Sequence, residues 1–392
     1  MIDPAGLAPR LRAWAQDQRT EIVAELAALV ALDAPSGDRD ALELSARLLA
    51  DRLTELGGTV RRLEAQFATH LEARFGPAGR RPVVVLCHYD TVWPRGTAAA
   101  RPLSRAHGTI RGPGVFDMRG GLAATLSAVR ALRELTALER PLVLLLTGDE
   151  ETGSLTSEEH IVRLAREAQV VLVPEPAHSD GGLKTARKGL LTYRLDVGGR
   201  YAHAGLDPER GVSAVHELID LAAAARGLAD AERGTTVNVG RIAGGERSNV
   251  VAAEASADID VRVATMAEYE RVERMLAELR PADRDARLEL VRLNARVPLE
   301  RTPAVARAYE QARELGRLLG LELGEGPAGG ASDGNFAAAL GVPVVDGLGP
   351  SGGGAHALDE HISEQSLVER AALIALLIAA LAPGDGGAGL GA

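Results

Sequence analysis

Three strongly apolar runs in this chain lead into residues that can hold a metal ion. Val83-Val84-Val85-Leu86-Cys87 leads into His88-Tyr89-Asp90. Residues 142–146 lead into Gly148-Asp149-Glu150-Glu151, and residues 170–174 into Glu175. Two further candidates, Asp117 and His356, sit in glycine-rich stretches. Imidazole nitrogen and carboxylate oxygen are the donors that a hard or borderline divalent cation takes. One cation needs three or four of them. Five protein donors plus water are best explained by two cations, about 3.5–4 Å apart, that share a bridge. A carboxylate can bridge through its two oxygens and a histidine cannot. Asp117, in Gly114-Val115-Phe116-Asp117-Met118-Arg119-Gly120, is therefore the expected bridge, and the flanking glycines let its loop fold back.

Glu150 and Glu151 are adjacent, so on an extended segment they point different ways. Glu151 is assigned to the metal. Glu150 is assigned as the general base that hydrolysis requires, normally a free carboxylate. Asp90 lies two residues after His88, on the same side of an extended segment, where it can orient that imidazole from behind.

The elements that position these groups follow from the apolar pattern. Short, continuous, β-branched runs bounded by turn residues read as strands buried on both faces. In open α/β sheets the site lies beyond the carboxyl ends of such strands. Helical spacing covers residues 8–32, 40–56, 119–134 and 156–167. Strand signals cover 59–63, 69–75, 82–87, 141–147 and 170–174. Alternating strands and helices imply a layered α/β domain with a largely parallel central sheet. The character changes near 187: strand 190–197, helix 209–228, strands 235–242 and 253–263, helix 266–280 and strand 286–295. That order, β-α-β-β-α-β, is the ferredoxin-like α+β unit. The α/β pattern then returns with helix 303–319, strand 321–324, helix 333–340, strand 343–346 and helix 363–381. The expectation is a discontinuous catalytic domain, 1–187 and 298–392, with a smaller domain inserted at 188–297. The glycine-rich tail, 384–392, is expected to fray.

Bulk properties remove several function classes. The 392 residues are ample for two domains. A net charge of −10 argues against a nucleic-acid partner, which needs clustered Lys and Arg. The one cysteine, Cys87, rules out an intrachain disulfide and reads as a core residue. No uncharged run of 18 residues suggests a membrane span, and Met1-Ile2-Asp3-Pro4 lacks a targeting pattern, so a cytoplasmic protein is expected. A dinucleotide fingerprint and a Gly-x-Ser-x-Gly elbow are both missing, which argues against an oxidoreductase and a serine hydrolase.

His88-Tyr89-Asp90-Thr91-Val92, Gly148-Asp149-Glu150-Glu151-Thr152-Gly153 and Glu175-Pro176 resemble the motifs of the dinuclear zinc carboxypeptidases and aminoacylases. Within that family the chain is most similar to the bacterial glutamate carboxypeptidases, over nearly its whole length. The intervals fit, with Asp117 lying 29 residues after His88 and Glu175 lying 24 after Glu151. The resemblance implies that His88, Asp117 and Glu175 hold one zinc, and that His356, Asp117 and Glu151 hold the other. Manganese or cobalt could substitute. It also implies a cis peptide at Asp117-Met118 and an inserted domain that acts as lid and dimerisation surface. His203, in Ala202-His203-Ala204-Gly205, would stabilise the oxyanion. Asn249 and Arg262 would contact the substrate carboxylate, and Gly330 would lie in a glycine-rich substrate loop. Arg296 and one of Lys184, Arg187 or Lys188 would meet a glutamate side chain.

Plainer readings stand beside these. His203 could be a surface histidine, Arg262 half of an ion pair, and Ser332-Asp333 a helix cap. The other histidines, His70 and His178 among them, read as packing or surface residues. The function expected is hydrolysis of an amide next to a free C-terminal carboxylate, most simply as a glutamate-type carboxypeptidase. The alternative is an N-acyl-amino-acid deacylase or dipeptidase with the same centre. The partners implied are a small peptide or N-acyl amino acid and a second copy of the chain. A non-catalytic relative should have lost a ligand or the base, and none is missing.

Overall fold

The computed structural model describes residues 2–381, so the 384–392 tail lies outside the described residues. The chain first forms helices α1 (Pro4–Asp17), α2 (Arg19–Val30) and α3 (Arg39–Glu55), then strands β1 (Thr59–Glu64), β2 (Thr69–Phe75) and β3 (Val83–His88). A short helix α4 (Thr97–Ala100) precedes the small strands β4 (Ser104–Ala106) and β5 (Thr109–Arg111). Helix α5 (Gly120–Leu135), β6 (Leu142–Thr147), α6 (Glu158–Glu167), β7 (Val170–Val173) and β8 (Leu183–Arg187) follow.

Next come β9 (Gly189–Gly198), α7 (Ala214–Arg226), β10 (Thr236–Gly244), β11 (Glu254–Val263), α8 (Met266–Ala277) and β12 (Arg287–Arg296). The chain ends with α9 (Pro303–Leu318), β13 (Glu325–Ala328), α10 (Gly334–Ala339), β14 (Val344–Asp346), β15 (Gly352–Gly353), β16 (His361–Ser363) and α11 (Glu364–Ala380).

Two compact units result. The larger comprises the chain up to Thr185, Arg301–Pro327 and Ser332 onward; the smaller comprises Ala186–Glu300 and Ala328–Ala331. The larger unit is built on a sheet ordered β1-β2-β6-β3-β7-β14-β8-β13. Its middle strands β6, β3, β7 and β14 are parallel, and β1, β2 and β8 pair antiparallel at the flanks. Every residue of β3, β6 and β7 is buried, which is why their apolar runs are continuous rather than alternating. From β3 the chain passes through α5 to β6 on one side, then through α6 to β7 on the other. The carboxyl end of β3 is thus the point where the strand order reverses, the place where such sheets form crevices.

The smaller unit orders its strands β10-β11-β9-β12, each pair antiparallel, which is the ferredoxin-like arrangement. Leu191, Leu195, Ile259 and Val261 of the sheet share one core with Leu218 and Leu221 of α7 and Val272 and Leu276 of α8. Ser213 and Thr265 cap the two helices by accepting from the His216 and Glu268 main-chain N–H groups.

Local departures from the expected elements have physical reasons. The helix expected over 8–32 is two helices that break at Gln18. Gln18 keeps near-helical torsions (φ −91°, ψ 11°), so the buried stripe of Leu7, Leu11, Ile22 and Leu26 runs across the break. The strand expected at 321–324 forms at Glu325–Ala328 instead. Leu323 is buried in the core that includes α9, and its carbonyl accepts from the Tyr309 hydroxyl of that helix. The helix expected from 209 begins at Ala214, because Pro208–Arg210 forms a separate turn closed by an extended Gly211. A second small sheet, β15-β16-β5-β4, has strands of two or three residues, too short for periodicity to mark.

One glycine sets the spacing at the mouth of β7. A Cβ on Gly121 would lie 1.8 Å from the Pro174 main-chain oxygen, so the first turn of α5 presses directly on the segment that carries Glu175. Gly121→Ala should cost about 1–3 kcal/mol, the usual range for an overpacked core. Urea unfolding checks it; an unchanged midpoint would show that the contact has slack.

Candidate metal centre

The larger unit gathers His88, Asp90, Asp117, Glu150, Glu151, Glu175 and His356 at the carboxyl ends of β3, β6 and β7 and in the loops beside them. His88 is the last residue of β3 and is buried. Its Nδ1 lies 3.1 Å from the Asp90 main-chain oxygen, an acceptor, so that nitrogen carries the proton. Its Nε2 therefore presents a lone pair in the neutral ring. That Nε2 lies 3.3 Å from Asp117 Oδ1 and 3.4 Å from Glu175 Oε1.

His356 repeats the arrangement from the other side of Asp117. Its Nε2 lies 3.4 Å from Asp117 Oδ2 and 3.2 Å from Glu151 Oε2. The two oxygens of one carboxylate are thus each met by a different imidazole. His356 is held at φ 60°, in the left-handed region that non-glycine residues rarely adopt. The Asp117-Met118 peptide is cis. The Met118 sulfur accepts the His88 main-chain N–H at 3.2 Å, which ties this loop to β3.

The donors fit a divalent cation. One ligand atom from each of His88, Asp117 and Glu151 lies within 4.8 Å of the others. Glu151 Oε1 is buried with no hydrogen-bond partner among the described residues. Such an orphaned oxygen is costly to bury in the ionised form unless a cation meets it.

Asp90 does more than orient His88. Its carboxylate is 3.5 Å from His88 Nδ1, farther than its own main-chain oxygen. The same carboxylate accepts the Glu150 N–H at 3.3 Å, the Glu151 N–H at 3.2 Å and the Ser36 hydroxyl at 2.7 Å. It therefore fixes the turn after β6 that presents both glutamates. Glu150 is half-buried and sits close enough to act electrostatically on His88 and Glu151.

Several supports were not legible in advance. Glu360, buried, accepts the Asp117, Phe116 and Gly114 N–H groups and the Trp93 indole N–H. Its only sequence signal is an acid four residues after His356. Asp333 does not cap α10. It accepts from the Ser154 hydroxyl at 2.5 Å and the Thr147 hydroxyl at 3.3 Å, bracing the same turn after β6. His70, read as packing, is buried and accepts the Gly148 N–H at Nδ1, so it also supports that turn.

The electrostatics are those of crowded acids. Burial works against a charge on His88, yet Asp117, Asp90 and Glu175 raise its pKa well above the ordinary imidazole value. Asp117 and Glu151 lift His356 to about 10. Burial pushes Asp117 up, but the two imidazoles prevail and hold it far below the usual carboxylate range. Burial pushes Glu151 up to about 7; Asp117 and Glu150 add to this, and His356 only partly offsets it. Burial raises Glu360 against the pull of its N–H donors.

The remaining candidates fall mostly in the smaller unit. His203 is exposed, and its Nδ1 accepts the Gly205 and Leu206 N–H groups at 3.1 Å each. The neutral ring therefore carries its proton on Nε2, free to donate. Asn249 is beside it, its main-chain oxygen accepting the Ala204 N–H. Arg262 is engaged by Asp260 on the same face of β11, at 2.8 and 3.1 Å. Arg296, the last residue of β12, is buried. Gly330 is exposed, and the buried Arg187 donates to its carbonyl at 3.2 Å. Lys184, in the larger unit, is half-buried on β8 opposite Asp346.

A family model described as peptidase family M20/M25/M40 matches residues 84–380. Carboxypeptidase G2 of Pseudomonas sp. (strain RS-16) is 28% identical over 387 residues, covering 94% of this chain and 91% of that protein. Succinyl-diaminopimelate desuccinylase of Xanthomonas oryzae pv. oryzae is 30% identical over 350 residues, covering 84% and 92%. The fold is shared with an M20 family metallo-carboxypeptidase of Sulfolobus solfataricus, at TM-score 0.73 and 18% identity over 91% of this chain and 98% of that one.

Glu151 and His356 both hold protons in the folded, metal-free protein that the unfolded chain would release. Their contribution to stability is full below their ordinary values of 4.5 and 6.5 and is lost as pH rises through about 7 and about 10. A metal ion needs both deprotonated. Added zinc should therefore raise Tm more at about pH 8.5 than at about pH 6. Equal zinc stabilisation at the two pH values would refute this charge assignment.

Proposed function

The chain belongs to peptidase family M20/M25/M40, and from that premise we propose a dizinc hydrolase that cleaves an amide next to a free C-terminal carboxylate, most simply as a glutamate-type carboxypeptidase. The observation that carries this reading is the sharing of Asp117 between two imidazoles, each with its own second carboxylate. His88, Asp117 and Glu175 would hold one ion, and His356, Asp117 and Glu151 the other. Bound zinc supplies Lewis-acid polarisation of the scissile carbonyl and lowers the pKa of water.

Glu150, next to the candidate ligand Glu151, is the general base and returns the proton to the leaving amine. Asp90 keeps His88 in the tautomer that leaves Nε2 bare and holds Glu150 and Glu151 by their main chain. His203, with its proton on Nε2, donates to the oxyanion. Asn249 and Arg262 take the substrate's terminal carboxylate; for Arg262 this means that a substrate carboxylate competes with Asp260 for its guanidinium. Arg296 and one of Lys184, Arg187 or Lys188 meet a glutamate side chain; Arg187 also donates to the Gly330 carbonyl. The reading includes a cytoplasmic homodimer. Among the described residues no helix is long and apolar enough to cross a membrane.

A second reading, an N-acyl-amino-acid deacylase, is favoured by the desuccinylases that match the chain at up to 30% identity, as closely as the carboxypeptidase does. The same centre serves both. The two are separated by turnover of an N-acylglutamate, an N-succinyl amino acid and a dipeptide, each with a free or amidated carboxylate. Amidation should abolish turnover in every case; an amidated substrate cleaved equally well would rule out recognition of the carboxylate. Glu150→Gln should lower kcat by about 10²–10⁴-fold while zinc content is retained. A variant that loses its zinc instead would make Glu150 a ligand rather than the base.

A further inference from the structure

We propose that Glu360 is a positioning residue that locks the Asp117 loop to the His356 turn, so that the two ligands meet at one place. The inference rests on the metal reading of Asp117 and His356. Glu360 Oε2 accepts the Gly114 N–H at 2.7 Å and the Trp93 indole N–H at 3.0 Å. Glu360 Oε1 accepts the Phe116 N–H at 2.9 Å and the Asp117 N–H at 3.1 Å. Three of these donors are main-chain groups of the loop that ends on Asp117.

The other end of the link is the chain segment of Glu360 itself. Its N–H donates to the Ala357 carbonyl, and the Ala357 N–H donates to the Gly354 carbonyl. His356 lies inside that wound segment at φ 60°, two residues after Gly354 at φ 76°. A Cβ on Gly354 would come within 2.9 Å of the Glu360 nitrogen, so the turn cannot relax there. One buried carboxylate thus grips the loop of one candidate ligand from within the turn that presents another.

The chemistry asks for a carboxylate in particular. An ionised carboxylate offers about four lone-pair sites and no donor, and here four N–H groups fill them. Glutamine has nearly the same shape but turns its NH₂ toward two N–H groups. The loop would shift to relieve that contact. Asp117 spans two imidazole nitrogens at 3.3 and 3.4 Å, so a small shift opens one side of the centre. The Glu360 carboxylate acts through the main chain of Asp117, whose N–H it accepts at 3.1 Å.

The test uses metal-free full-length protein, zinc alone as the probe, and competition with a chromogenic chelator, with thermal unfolding measured alongside. Glu360→Gln should weaken zinc binding by about 10–100-fold, the usual effect of removing support behind a ligand. Trp93→Phe removes one donor and keeps the carboxylate, and should weaken zinc by about threefold, near the low end of what one hydrogen bond contributes. Glu364→Gln is the control: its carboxylate pairs with Arg19 and Arg105, so it should lower the unfolding temperature and leave zinc affinity unchanged. Wild-type protein that takes up no zinc would sink the metal reading and this inference together. Wild-type uptake with unaltered affinity in Glu360→Gln would sink this inference alone. Should Glu360→Gln fail to fold, unaltered affinity in Trp93→Phe overturns it.

Discussion

Asp117 faces an imidazole nitrogen with each of its two oxygens, and nearly everything else in the larger unit serves to keep it there. The arrangement is unfavourable taken alone. Carboxylates crowd together in a buried place, where like charges repel, and without a cation only protons on the two imidazoles and on Glu151 offset them. The proton equilibria register that tension: Asp117 is held ionised while Glu151, a neighbour of the same type, is driven up to about 7. A pair of divalent cations would relieve it, which is why the proposed function follows from electrostatics as much as from resemblance.

The sheet makes that convergence affordable by meeting it with rigid parts. β3, β6 and β7 are parallel, buried on both faces and end side by side, so the segments that follow them emerge together. β3 stands at the reversal of strand order, with β6 on one side and β7 on the other. Gly121, in the first turn of α5 just after the Asp117 loop, lets that helix press on Pro174, next to Glu175. A larger residue would hold the two apart.

Around the candidate ligands lies a layer of buried acids whose carboxylates hold the surrounding turns and loops. Asp90 holds the turn of Glu150 and Glu151, Glu360 holds the loop of Asp117, and Asp333 braces Ser154 and Thr147. Asp90 and Glu360 accept from main-chain N–H groups, with the Ser36 hydroxyl and the Trp93 indole N–H beside them, and Asp333 accepts from two hydroxyls. The smaller unit holds a histidine, His203, whose Nδ1 accepts two main-chain N–H groups, and arginines engaged by Asp260 or by the Gly330 carbonyl.

What the sequence by itself determined is the set of groups and the strands that carry them. Continuous apolar runs must be strands covered on both faces, and polar residues directly after them must lie at one edge of the sheet. His88, Glu151 and Glu175 were legible for that reason, and the alternating 255–263 segment marked the second unit in the same way. Only the tertiary structure decided how Asp117 and His356 reach that edge, because both come from loops, and loop paths are set by contacts between segments far apart in the chain. Glu360 lies 243 residues from the Asp117 N–H it holds, and no spacing rule links such a pair. The break at Gln18 and the placement of β13 escaped for a related reason. Periodicity reports which side of a segment is buried, not where its hydrogen bonds stop, and those ends are settled by the neighbours against which it packs.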